Sequence, residues 1–128
     1  MTPDIQMLVW SAALALVQMV VASLGAQGQV GLPALAGNRE NLPQFTGWAG
    51  RAKRAHVNML EHLLIFAIVV IAAHLAGKAN ATTALGAALF FWARLAYAVI
   101  YVVGVPWLRT AVWAVSIAGI ILVFSQLF

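Results

Sequence analysis

The chain contains no cysteine. That excludes disulfides, thiolate metal sites and a cysteine nucleophile, so any thiol chemistry has to use a thiol brought by a substrate. Charge is almost as scarce: 8% of the 128 residues are charged, and only three side chains are acidic. Soluble domains carry about 25% charged residues and are about 45–50% apolar, whereas 64% of this chain is hydrophobic. A soluble domain is therefore excluded, and the composition is that of an integral membrane protein. There is room for about four spans of ~20 residues and none for a separate soluble domain. The net charge of +4 collects mostly in one connection. It reads as a topology signal, and no nucleic-acid partner is expected.

Spans are predicted at about residues 5–26, 55–76, 83–103 and 107–128, giving one all-α domain, a four-transmembrane-helix bundle. The first runs from Ile5 to Ala26, with Ser11, Gln18 and Ser23 as polar interruptions. The small residues from Ala22 to Ala26 raise the alternative of a cleaved signal peptide. Against it stand Asp4, the lack of a basic n-region and the length of the apolar run, so a retained helix is expected. Gln27 to Gly50, rich in Gly, Pro and Asn, reads as an irregular polar connection. The second helix is predicted to start in water near Arg51 and to stop at Gly77. The third carries Arg94, is broken by Gly104 and Pro106, and leads into a fourth helix with Arg109 in its first turn. Arg39, Arg51, Lys53 and Arg54 flank the first connection and Arg109 the third, against Lys78 alone in the second. The positive-inside rule puts connections one and three on the cytoplasmic side of a multi-pass membrane protein, with both termini on the opposite side.

The segment RAKRAHVNMLE, Arg51 to Glu61, organises the rest. At about 100° per residue, Arg51, Arg54, Asn58 and Glu61 fall within an arc of about 80°, and His62 continues the stripe. Ionisable groups at membrane depth cost about 2.5–3.5 kcal/mol or more and face a bundle interior or a wet cavity. In the third span Arg94, Tyr97 and Tyr101 have offsets that place them on one face. By topology the polar ends of the second and third spans and the start of the fourth lie on the same side. Arg54, Asn58, Glu61, Tyr97, Tyr101 and Arg109 are thus predicted to form one cluster, with Glu61 within reach of Arg94. The chemistry suits a small polyanionic zwitterion: Arg for carboxylates, Glu for an ammonium, Asn and Tyr for amides.

RAKRAHVNMLE before an apolar span, ARLAYAVIY in the third span and the Arg opening the fourth resemble the membrane-associated proteins in eicosanoid and glutathione metabolism, the MAPEG family, in a bacterial-type member. The resemblance covers most of the chain from Asn38 onward. It implies a homotrimer of four-helix bundles that binds glutathione between adjacent subunits near the cytoplasmic face. Arg54, Asn58 and Glu61 match the family's helix-two glutathione ligands. His62 stands where relatives use Tyr or Thr, and Tyr97 and Tyr101 match helix-three positions that are aromatic or His in relatives and line the same site. His56, about 140° around the helix from Arg51, matches a position that reaches a site shared with the neighbouring subunit. Arg94 is counted with the glutathione-binding set through its expected contact with Glu61. Arg109 matches the Arg beside the glutathione sulfur and is the catalytic candidate. Gly50 departs from the family, where many members have Glu, and Leu64 stands where many have Pro.

The implied activity is that of a membrane-embedded glutathione transferase or peroxidase. A thiol that titrates near about 8.5 is held as thiolate by a nearby guanidinium and attacks a lipophilic electrophile or hydroperoxide arriving from the bilayer. Glutathione enters as co-substrate, and no metal is called for. The alternative is a non-catalytic membrane scaffold or lipid-binding protein of the same fold, which need not keep the Arg-Asn-Glu face. A proton-coupled exporter is a weaker third reading, because Glu61, the only membrane carboxylate it could use, is accompanied by Arg.

Overall fold

The computed structural model describes all residues, 1–128, and contains five helices and no strand. Helix α1, Pro3–Val30, opens with Pro at its first position and Asp4 in its first turn, both suited to a helix N-terminus. It runs one turn beyond the predicted end at Ala26. Hydropathy marks where lipid ends, and Gln27, Gly28 and Gln29 carry the helix on into water. The extension has a tertiary partner. Gln29 Nε2 donates to the Thr46 carbonyl at 2.7 Å and its Oε1 accepts from the Thr46 N–H at 3.0 Å.

That reciprocal pair ties the end of α1 to the residue preceding the next long helix. The connection is therefore shorter and more ordered than its composition suggested. It holds a five-residue helix, α2, Leu32–Ala36, with Pro in its first turn. Helix α3, Gly47–Leu75, starts four residues before Arg51, the start expected from the sequence. The Lys78 N–H returns to the Ala73 carbonyl at 2.8 Å, and Gly77 takes φ 68, so α3 ends in a glycine-terminated turn.

Helix α4, Ala81–Val103, is capped by Asn80, whose side chain accepts from the N–H groups of Thr82 and Thr83 while Thr83 returns the bond to the Asn80 N–H. It stops at Gly104, which adopts φ 96, and Pro106 then opens α5, Pro106–Ser125. All four long helices are long and apolar enough to cross a membrane. The last two lie close to the predicted spans. The alternation is antiparallel: Asn80 at the start of α4 donates to Gln126 just past α5, and Arg51 near the start of α3 meets Val102 near the end of α4.

Packing is densest along one internal seam. Phe66 of α3 stacks on Phe90 of α4 with ring centroids 4.0 Å apart, among Met59, Val70, Ala87 and Val123. Helices α4 and α5 close to backbone contact at Gly86 and Gly119, where a Cβ on Gly86 would stand 2.6 Å from the Gly119 carbonyl oxygen. Such small-residue crossings let membrane helices gain dispersion where lipid supplies no hydrophobic drive. Only 28 of 128 residues are buried, and Leu64, Ile68, Val99 and Ile121 point outward. This apolar exterior belongs in a bilayer, and the protein is a multi-pass integral membrane protein.

Candidate functional site

The first turns of α3, the last turns of α4 and the start of α5 converge at the basic end of the bundle. Their polar side chains form a ladder. Arg54 Nε donates to the Tyr101 hydroxyl at 3.2 Å, and the Arg109 guanidinium lies 4.5 Å from the centroid of the same ring. Tyr101 and Tyr97 meet edge to face at 5.6 Å. The Arg94 guanidinium lies 4.1 Å from the Tyr97 centroid, in cation–π contact. Helical offsets of three and four put Arg94, Tyr97 and Tyr101 on one face, so the aromatic rungs follow from sequence spacing.

Two contacts differ from those expected. Arg51, read from the sequence as a topology charge at the edge of the stripe, donates through Nε to the Val102 carbonyl at 2.8 Å. Carbonyls in the last turn of a helix lack intrahelical partners, and a cation there also meets the negative end of the helix dipole. Arg51 therefore closes α4. The expected Glu61–Arg94 pair is not formed. Arg94 Nη2 donates instead to Asn58 Oδ1 at 2.8 Å, because Asn58 sits one turn closer along the same stripe. Arg94 is 1% exposed, and its Nε and Nη1 are buried without partners. Glu61 remains exposed.

Arg54, Asn58 and Glu61 line one open cavity of about 480 Å³, together with Gln44, Phe45 and Lys53. It lies on the outer side of α3, between that helix and the connection before it. Tyr97, Tyr101, Arg94 and Arg109 stand behind Arg54 and Asn58 and do not line it. The connection shapes the cavity wall: a Cβ on Gly50 would run into the Phe45 carbonyl oxygen and come within 3.3 Å of Arg54 Nη1. Glycine at that position lets the 44–45 segment fold down onto α3.

His56 lies on a different side of α3, as its 140° offset required. It lines a second cavity, of about 700 Å³, with Ser23, Arg39 and apolar side chains of α1 and α2. Gln44, Phe45 and Lys53 form the wall that the two cavities share, and Lys53 sits over the Phe45 ring at 5.0 Å. His56 Nδ1 is buried and unpaired. His74, near the far end of α3, is exposed and outside the cluster.

His62 brings in a residue that the sequence reading missed. Its Nε2 accepts the indole N–H of Trp113 on α5 at 2.8 Å, and its Nδ1 lies 2.7 Å from the Asn58 carbonyl. Trp113 passed as one more apolar residue of the fourth span. The available signal was its indole N–H, a donor that needs a partner when it sits below the headgroups.

The MAPEG family profile matches residues 7–128, essentially the whole chain. The chain belongs to the MAPEG family. No curated protein and no solved structure matches it closely enough to add detail. As a MAPEG protein it is a membrane protein of the group concerned with glutathione and eicosanoid metabolism, and its four long helices agree with that membership. In this MAPEG chain, the Arg-Asn-Glu wall of the cavity comes from the segment that carries the family resemblance.

Proposed function

We propose that this MAPEG protein is a glutathione-dependent transferase or peroxidase, working as a homotrimer with its site on the cytoplasmic face. The observation that carries the reading is the convergence of Arg54, Asn58 and Glu61 on one cavity of about 480 Å³. That volume lies within the range of about 300–1,000 Å³ usual for small-ligand sites. The three side chains offer a cation, a carboxamide and a carboxylate, which complement the carboxylates, amides and ammonium of a short zwitterionic peptide.

The cavity opens away from its own bundle, on a face of α3 that a second subunit would cover. His56 and the second cavity would then face a neighbour, in the manner the resemblance implies. Arg109 is assigned the thiolate-stabilising charge; it stands behind Arg54 and does not line the cavity, so the sulfur end of the peptide would reach past Arg54 to meet it. Arg109 is half-exposed beside Tyr101, at the N-terminus of α5, whose dipole adds to the positive potential. A lipophilic electrophile or hydroperoxide reaches the sulfur through the bilayer, and the apolar outer surface of the bundle is suited to that route.

The test is calorimetric titration of detergent-purified protein with glutathione, followed by turnover with a generic electrophile and with a lipid hydroperoxide. Saturable binding with either turnover supports the reading. Absence of binding sinks it. Mass measurement in mild detergent tests the assembly, and a stable monomer would remove the shared-site arrangement.

A further inference from the structure

Arg94 is one of only two charged side chains buried in the bundle, with Asp4. A guanidinium has only donors, so the atom of Asn58 that meets its Nη2 at 2.8 Å is the carboxamide oxygen. The Asn58 carboxamide is thereby held with Oδ1 toward α4. Its donor end, Nδ2, is left for the cavity that Asn58 lines. Arg94 itself lines no part of that cavity, and its remaining nitrogens are sealed from it.

We propose that Arg94 is a positioning residue: by occupying Asn58 Oδ1 it presents Asn58 to the ligand as a donor only, and so selects ligands that bring a carbonyl or carboxylate oxygen to that wall. This rests on the glutathione reading of the cavity.

Two features hold the arrangement in place. The Tyr97 ring 4.1 Å from the guanidinium fixes it from α4. His62 hydrogen-bonds the Asn58 backbone carbonyl at 2.7 Å and is itself held by Trp113, so the turn bearing Asn58 is anchored from α5. The charge on Arg94 meets a neutral amide and an aromatic face, with no carboxylate to cancel it. In a low-dielectric interior it polarises the carboxamide and strengthens Nδ2 as a donor. A carboxamide without such a partner turns freely between its two orientations and offers a ligand oxygen a lone pair as readily as a proton.

A double-mutant cycle on the detergent-purified protein tests this, using Arg94→Met, Asn58→Ala and the pair, with glutathione affinity as the readout. Arg94→Met is expected to weaken binding about tenfold, the scale of one charge-linked hydrogen bond, and to have no effect once Asn58 is Ala. Arg94→Lys, which keeps a donor, is expected to retain most of the affinity. An equal loss from Arg94→Met with and without Asn58, or no loss at all, overturns the proposal.

Orientation is read separately without ligand. The chain has four asparagines, so isotope-labelled asparagine resolves the Asn58 side-chain amide, which is expected to shift when Arg94 becomes Met. An unmoved signal overturns the positioning role. A shifted signal in a protein that binds no glutathione supports the positioning and overturns the reading of the cavity.

Discussion

Trp113 on α5 donates its indole N–H to Nε2 of His62 on α3 across 2.8 Å. Because that nitrogen accepts, the ring proton resides on Nδ1, which donates to the Asn58 carbonyl at 2.7 Å. One bond thus joins two helices and fixes a tautomer beside the proposed ligand wall. Trp113→Phe keeps the packing and removes the donor. We expect a stability loss of about 0.5–1.5 kcal/mol, toward the lower end because interhelical bonds in membranes average about 0.6. Thermal unfolding in detergent checks it, and an unchanged midpoint would mean that the bond contributes nothing.

Arg51 and Arg54 lie three residues apart and are expected to fail differently. Arg51→Ala leaves the Val102 carbonyl without its charged donor and should cost about 1.5–3 kcal/mol of stability with glutathione affinity nearly intact. Arg54→Ala should lose affinity first, since Arg54 is exposed on the cavity wall. Paired melting and titration curves separate the two, and a reversed pattern would exchange their roles.

Glu61 has no Arg94 partner, because Asn58 takes that guanidinium. Its carboxylate is exposed on the cavity. Glu61→Gln should therefore leave the melting temperature unchanged while weakening glutathione about 10- to 100-fold, the cost of a charge-assisted contact. Reduced stability with unchanged affinity would instead make Glu61 structural.

Arg109 is expected to affect chemistry more than binding. Arg109→Ala should lower turnover well beyond any loss of glutathione affinity, and the ultraviolet absorbance of the bound thiolate should fall as the thiol returns toward its free pKa. The helix dipole at the same end retains about 0.3–1 kcal/mol of attraction, so some activation should persist. Equal losses of affinity and turnover, with thiolate absorbance preserved, would make Arg109 a ligand anchor only.

Gly86 and Gly119 set the approach of α4 to α5. A side chain at either would meet backbone carbonyl oxygen, which cannot swing aside. Gly86→Leu should cost more than the usual ~1–3 kcal/mol of overpacking. Melting in detergent reads this directly, and a cost below that range would show that the helices can part.

The spans were legible because a bilayer imposes long apolar runs on any helix that crosses it. The polar face was legible because 100° per residue fixes which of Arg51, Arg54, Asn58, Glu61 and His62 share a side of α3. The ends were not. Helix α1 continues to Val30 and α3 begins at Gly47, since a helix persists in water wherever a tertiary partner such as the Gln29–Thr46 pair holds it.

Partner choice lay further beyond the sequence. Arg51 and Arg54 carry the same group within a small arc, yet one caps a helix and the other reaches a tyrosine. Which neighbour a side chain meets depends on the height at which α4 stands against α3. That relative height gave the Arg94 guanidinium to Asn58 and left Glu61 free. It follows from the packing of Phe66 on Phe90 and of Gly86 on Gly119, contacts between residues far apart in the chain that no local pattern encodes.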